Sequence, residues 1–264
     1  MNHHFFQLRS FITYWLNAVD AHSLHSPFFY DFYTNVIRPR KGVAYIPPFD
    51  QIEQERRSLL SNNTTIGIVD LGAGSKHISG SQRQISEIAR HSLSTAKYSC
   101  IYYRALAHYD AHFVLELGTS LGINTMYLAS HRRANITTIE GSPSIAQLAS
   151  ALFEKHDLKN IQLNCGNLDN ILPEIVQGLP RIDFAFLDAN HRRDPTLNYF
   201  NTIAARVHRK SIIVLDDIHS NAEMNDAWTA VKNHPSVKGT ADLFRCGFVF
   251  FEPSLNSQHF VLQI

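Results

Sequence analysis

Val114-Leu-Glu116-Leu-Gly118-Thr119-Ser120-Leu-Gly122-Ile-Asn-Thr125 decides the reading of this chain. Val114–Leu117 is a short strand of mostly apolar residues, and helical periodicity begins near Thr125. Between them, Gly118 and Gly122 let a ligand approach the backbone closely. A nicotinamide-binding turn would need G-x-G-x-x-G, with a pyrophosphate on the helix N-terminus. This turn lacks that spacing and places an acid, Glu116, two residues before the first glycine. A carboxylate there suits a cationic ligand and disfavours phosphate. Taken alone, the segment is equally well an ordinary strand-to-helix turn.

The flanking sequence repeats the pattern. Ile136–Ile139, Ile161–Asn164, Ile182–Leu187 and Ser211–Leu215 read as further short apolar strands, with helical stretches over 144–156, 168–176 and 196–208. Such alternation predicts a parallel sheet covered by helices, a doubly wound Rossmann-like α/β fold. Thr240–Phe251 and His259–Ile264 add two strands, giving seven. The short connection between the last two predicts that they are antiparallel neighbours, so the final strand is the antiparallel one. In such sheets ligands bind beyond the carboxyl ends of the strands. Polar residues follow each end in turn: Glu116, then Glu140, Asn167, Asp188 with His191, and Asp216 with Asp217.

Residues 1–109 differ and read as a mainly helical cap or lid before a core at 110–264. Aromatics crowd residues 1–33, with Phe11, Tyr14 and Trp15 at helical spacing; such patterns belong more often to a core than to a ligand site. His22 and His25 belong to this lid. Val69-Asp70-Leu-Gly72-Ala-Gly74 looks like a second nucleotide loop, but no strand-end acid follows it.

Composition narrows the function. The chain has 264 residues, with 24 Lys+Arg against 23 Asp+Glu. It lacks the basic excess of an electrostatic nucleic-acid binder, so no nucleic-acid partner is expected. Cys100, Cys165 and Cys246 are scattered and odd in number, which suits a reducing, cytoplasmic compartment. No apolar run approaches the ~20 residues of a membrane span.

E116-L-G-T-S-L-G122, with Glu140 ending the next strand, resembles the class I S-adenosylmethionine-dependent methyltransferases. The G-T-x-x-G form, with L-D188-A-N-H and L-D216-D217, is similar to the O-methyltransferase branch that includes the catechol and caffeoyl-CoA enzymes. The N-terminal third is similar to the variable cap of uncharacterised members. This resemblance implies that Glu116, Gly118, Thr119, Ser120 and Gly122 hold the methionine part of S-adenosylmethionine. It further implies that Glu140 holds the ribose, Asn167 the adenine, and that Asp188 touches the cofactor. It also implies a Mg²⁺ on Asp188, Asp216 and Asp217, lowering the pKa of a substrate hydroxyl.

The residues leave His191 as a general base. Arg192 and Arg193 are anion-recognising or simply solvated, and His219 is a weaker second histidine. An Asn/Asp-Pro-Pro-Tyr loop, common in amino-methylating enzymes, is absent after the fourth strand. The expected reaction is therefore O-methylation of a small-molecule hydroxyl, by a chain for which a homodimer is compatible. The alternatives are N-methylation or methylation of a macromolecule on the same core, and a cofactor-binding protein without catalysis.

Overall fold

A computed structural model describes residues 3–39, 49–68 and 81–264. The Asp70–Gly74 loop, with its resemblance to a nucleotide turn, lies outside the described residues. The first elements are α1 (His3–Asn17), α2 (Pro27–Phe32), α3 (Asp50–Leu60), β1 (Thr65–Ile68), β2 (Ser81–Gln84), α4 (Ile85–Ser92) and α5 (Ala96–His108). Strands and helices then alternate: β3 (Phe113–Leu117), α6 (Ile123–Ala129), β4 (Asn135–Glu140), α7 (Pro143–Lys155), β5 (Ile161–Cys165) and α8 (Leu168–Gly178). The last are β6 (Ile182–Leu187), α9 (Arg193–Ala204), β7 (Val207–Asp216), α10 (Ala222–Lys232), β8 (Gly239–Asp242), β9 (Cys246–Phe250) and β10 (Gln258–Val261). This is the mostly parallel, Rossmann-like α/β class that the sequence predicts.

The chain divides into two compact units, Tyr45–Ile171 and Met1–Ala44 with Leu172–Ile264. In the first, β3 and β4 run parallel, as do β4 and β5. Val114, Leu115 and Leu117 of β3 are fully buried, as strands covered on both faces require. Behind them, Phe49, Tyr103, Tyr127, Leu152 and Phe153 form one apolar cluster. β1 and β2 make a separate antiparallel pair.

In the second unit the strand order is β10-β8-β9-β7-β6. β6 and β7 are parallel, and β9 is antiparallel to both of its neighbours. Here the structure corrects the sequence reading. Residues 239–250 make two strands, because Phe244 turns the chain with φ of +67°. The strand count rises by one, and the antiparallel member is β9. The final strand, β10, runs parallel to β8. The short link after β9 does join opposed strands, but β8 lies between them.

The aromatic N-terminal segment has two fates. Phe29 and Phe32 of α2 are fully buried and pack edge-on against Phe250, with Phe32 also against Phe248. The core role thus falls to these two, whereas Phe11 and Trp15, read at helical spacing, are exposed. Helix α1 instead lies over the carboxyl ends of the C-terminal strands. Tyr14 donates its hydroxyl proton to the Leu262 carbonyl at 2.7 Å, and Phe11 meets Phe244 edge-on. Val19 then bridges to Leu262, extending the sheet beyond β10.

Candidate functional site

In the Tyr45–Ile171 unit, the turn after β3 is shaped by positive φ at Gly118 (+91°), Ser120 (+49°) and Gly122 (+84°). Such a run winds the backbone tightly at the start of α6. Gly122 is required for a second reason: a Cβ there would sit 2.7 Å from the Phe153 ring. The amides of Gly118 and Thr119 both donate to the Ile139 carbonyl, which ties the turn to the end of β4.

Glu116 is 0% exposed, yet its carboxylate is well supplied with donors. Asn124 Nδ2 donates to one oxygen at 2.9 Å, while Thr125 Oγ1 and Thr138 Oγ1 donate to the other at 2.5 and 2.8 Å. Thr138 stands directly opposite Glu116 in the β3–β4 register. Its single proton goes to Glu116, so Thr119 Oγ1, 2.6 Å away, must be the donor to Thr138. Glu116 thus organises the turn from below, with Thr119 at the end of its network.

Glu140 is half-buried at the end of β4, with both oxygens oriented by backbone donors. The Ser120 amide donates to Oε2 and the Ser142 amide to Oε1, each at 2.9 Å. These two amides fix the orientation of the carboxylate at the strand end. Asn167, after β5, uses its side-chain oxygen to accept from the Asp169 amide at 2.9 Å. That caps α8 and leaves the amide nitrogen as the group that would meet a base edge.

The second unit carries the other strand-end residues. Asp188 follows β6, and His191 Nε2 lies 3.3 Å from its Oδ1. Burial alone would pull the His191 imidazole down. Its hydrogen bond with Asp188 and the charges of Asp188, Asp217 and Asp216 outweigh that and hold it at about 9. Near neutral pH it is therefore a cation that donates, whereas a general base must be neutral. Asp216 ends β7 and is 1% exposed. Burial raises its pKa, reinforced by Asp188 and Asp217 and opposed by Arg245. Burial likewise raises Asp217, aided by Asp188 and opposed by His191 and Arg245. Arg245 Nη2 lies 3.3 Å from Asp216, and its Nε is 3.9 Å from Asp217.

Mg²⁺ is not shown by this donor set. Among the described residues, no three His, Cys, Asp or Glu side chains converge as a metal ion would require. The charge of the acids is balanced from within, by Arg245 on Asp216 and by His191 on Asp188. Positive φ at Asp217 (+53°) turns the chain immediately after Asp216. A hard dication needs several oxygens aimed at one point, and the residues here do not fit that demand. Sequence reasoning missed Arg245 because the turn holding it was read as the interior of a strand.

The remaining candidates have local partners. Arg192 bonds the Asn190 side chain, and Arg193 pairs with Asp194. His219 is held between Asn225 and Asp242, at 3.0 and 2.8 Å.

Residues 115–218 match the family model described as a methyltransferase domain. The chain carries a methyltransferase domain. Solved structures of similar fold include the O-methyltransferase from Bacillus cereus in complex with S-adenosylhomocysteine. It has a TM-score of 0.56 and 14% identity, over 80% of this chain and 93% of that one. The O-methyltransferase TomG from Streptomyces achromogenes, in complex with S-adenosylmethionine, has a TM-score of 0.54 and 16% identity, over 61% of this chain and 82% of that one. Among curated proteins, the human EEF1A lysine methyltransferase 2 is 37% identical over 62 residues, 24% of this chain and 26% of its own length. The chain thus spans about a quarter of the length of that relative. The matched domain contains every strand-end acid discussed above, from Glu116 to Asp217. Arg245 lies outside it.

Proposed function

We propose that the protein is an S-adenosylmethionine-dependent methyltransferase that methylates a hydroxyl of a small molecule. The observation that carries this reading is the fixing of Glu140 by the Ser120 and Ser142 amides, beside a turn of positive φ. In a methyltransferase domain this is where a nucleoside diol would be held. The backbone of Gly118–Gly122 would receive the methionine end, with the buried Glu116 supplying a negative field toward its ammonium group. Asn167 would meet the adenine edge. S-adenosylmethionine supplies, when bound, a methyl group on a sulfonium that an oxygen nucleophile can displace.

On the acceptor side, Asp188 would take the proton of the hydroxyl, and protonated His191 would orient that carboxylate through their 3.3 Å contact. Arg245 holds Asp216 in an ion pair beside them, at 3.3 Å. The three scattered cysteines support the expectation of a reducing, cytoplasmic compartment. Among the described residues no helix is long and apolar enough to cross a membrane.

A second reading is methylation of a protein lysine. The match to EEF1A lysine methyltransferase 2 favours it, and acids around Asp188 would suit an ammonium acceptor. Incubation with methyl-labelled cofactor, a panel of phenols and alcohols, and a panel of lysine peptides separates the two. Label in a small-molecule ether supports the first reading; label in peptide lysine alone replaces it.

A further inference from the structure

The unit containing α1 and α10 forms an open cavity of about 470 Å³ at the carboxyl ends of β8 and β10. Its volume falls within the roughly 300–1,000 Å³ of small-molecule sites. Phe6, Arg9 and Tyr14 of α1 line one side; His219, Lys232 and Asp242 line the other. We infer that this cavity binds a small amphipathic anion, an aromatic or apolar body carrying a carboxylate or a phosphate.

Asp242 is the acid of the cavity, and its carboxylate is already engaged. His219 Nε2 and Trp228 Nε1 approach Oδ2 at 2.8 and 3.2 Å, and the Phe244 amide donates to Oδ1 at 2.8 Å. The two cations have no such partner. Among the described residues neither Arg9 nor Lys232 forms an ion pair; Lys232 only lies over the Trp228 ring, 5.9 Å from its centroid. The cavity therefore carries two cations without an ion-pair partner against one hydrogen-bonded acid, a charge balance that favours an anion.

The body of the ligand follows from the walls. Phe6 and Tyr14 present aromatic surface, and Tyr14 is anchored because its hydroxyl donates to the Leu262 carbonyl. An aromatic or acyl group would cover that surface, with its anionic end between Arg9 and Lys232. Every lining residue belongs to one compact unit. The assignment accordingly stands apart from the methyl-transfer reading.

Titration calorimetry on the full chain tests this, with benzoate, phenyl phosphate and neutral benzyl alcohol as probes. At least one anion is expected to bind, and at least tenfold more tightly than benzyl alcohol. The R9Q/K232Q double variant should lose at least tenfold in that affinity, while R9K/K232R should retain it. Both variants should bind S-adenosylhomocysteine as the wild type does, so a failure of the cofactor site would be recognised separately. Preference for benzoate would identify a carboxylate ligand, and preference for phenyl phosphate a phosphate ester. Absence of binding by either anion, or equal anion affinity in R9Q/K232Q, would overturn the assignment.

Discussion

Gly122→Ala is the substitution whose cost can be worked out most fully. The residue sits at φ +84°, in the left-handed region, where a non-glycine residue costs about 1–2 kcal/mol. The new methyl group would also lie 2.7 and 2.9 Å from two Phe153 ring carbons and 3.3 Å from the Ala149 Cβ. Phe153 is 5% exposed and packed among Phe49, Tyr127 and Leu152, so its ring cannot swing away freely. Overpacking of that kind costs roughly 1–3 kcal/mol. Alanine stiffens the unfolded chain, which returns about 0.4–1 kcal/mol. The net loss is about 1–4.6 kcal/mol, a large share of the 5–15 kcal/mol available to a typical domain. Urea unfolding followed by circular dichroism would measure it. Adding Phe153→Leu should recover the steric part and leave the backbone part. Because Gly122 opens α6, the variant should also lose affinity for S-adenosylhomocysteine. A Gly122→Ala protein within about 0.5 kcal/mol of wild type, with unchanged affinity, would refute this account of the turn.

Three further outcomes are expected. His191 has a folded pKa of about 9, above its ordinary value, so its pair with Asp188 stabilises fully below the unfolded pKa near 6.5 and is lost as pH rises through 9. His191→Gln should therefore cost more at pH 6 than at pH 9.5, on the order of 1 kcal/mol after solvent screening; equal costs at both pH values would contradict the pairing. Arg245→Met should destabilise by on the order of 1 kcal/mol near neutral pH and by more in alkali, because burial already raises the Asp216 pKa and loss of Arg245 lets it take up a proton. The deficit should shrink in acid, where protonated Asp216 needs no counter-charge; a pH-independent deficit would argue against that role. Millimolar Mg²⁺ should shift the melting temperature by less than about 1 °C, since a ligand without a site does not stabilise. A clear, Asp188-dependent upward shift would restore the metal reading.

Much of the fold was legible because its strands are buried on both faces. Val114–Leu117, Ile182–Leu187 and Ser211–Leu215 are nearly continuous apolar runs, and their ends mark where polar residues must emerge. The break between β8 and β9 was not legible. Residues 243–245 contain neither glycine nor proline, and Phe244 adopts a positive φ that no local residue preference announces. Arg245 was hidden by that error, and with it the internal counter-charge of Asp216. The protonation of His191 was equally out of reach, because it depends on the approach of acids from other parts of the chain. Residues 3–17 were readable as a helix. Their placement over the C-terminal strands was not, since periodicity identifies an apolar face and says nothing of its partner.

The central claim is that the β3–α6 turn and Glu140 bind the cofactor. Titration calorimetry with S-adenosylhomocysteine, on the wild type and Glu140→Ala, tests it directly. The wild type should bind at one site, and the variant at least tenfold more weakly, a loss of about 1.4 kcal/mol or more. No heat with the wild type, or equal affinity in the two proteins, would contradict the claim.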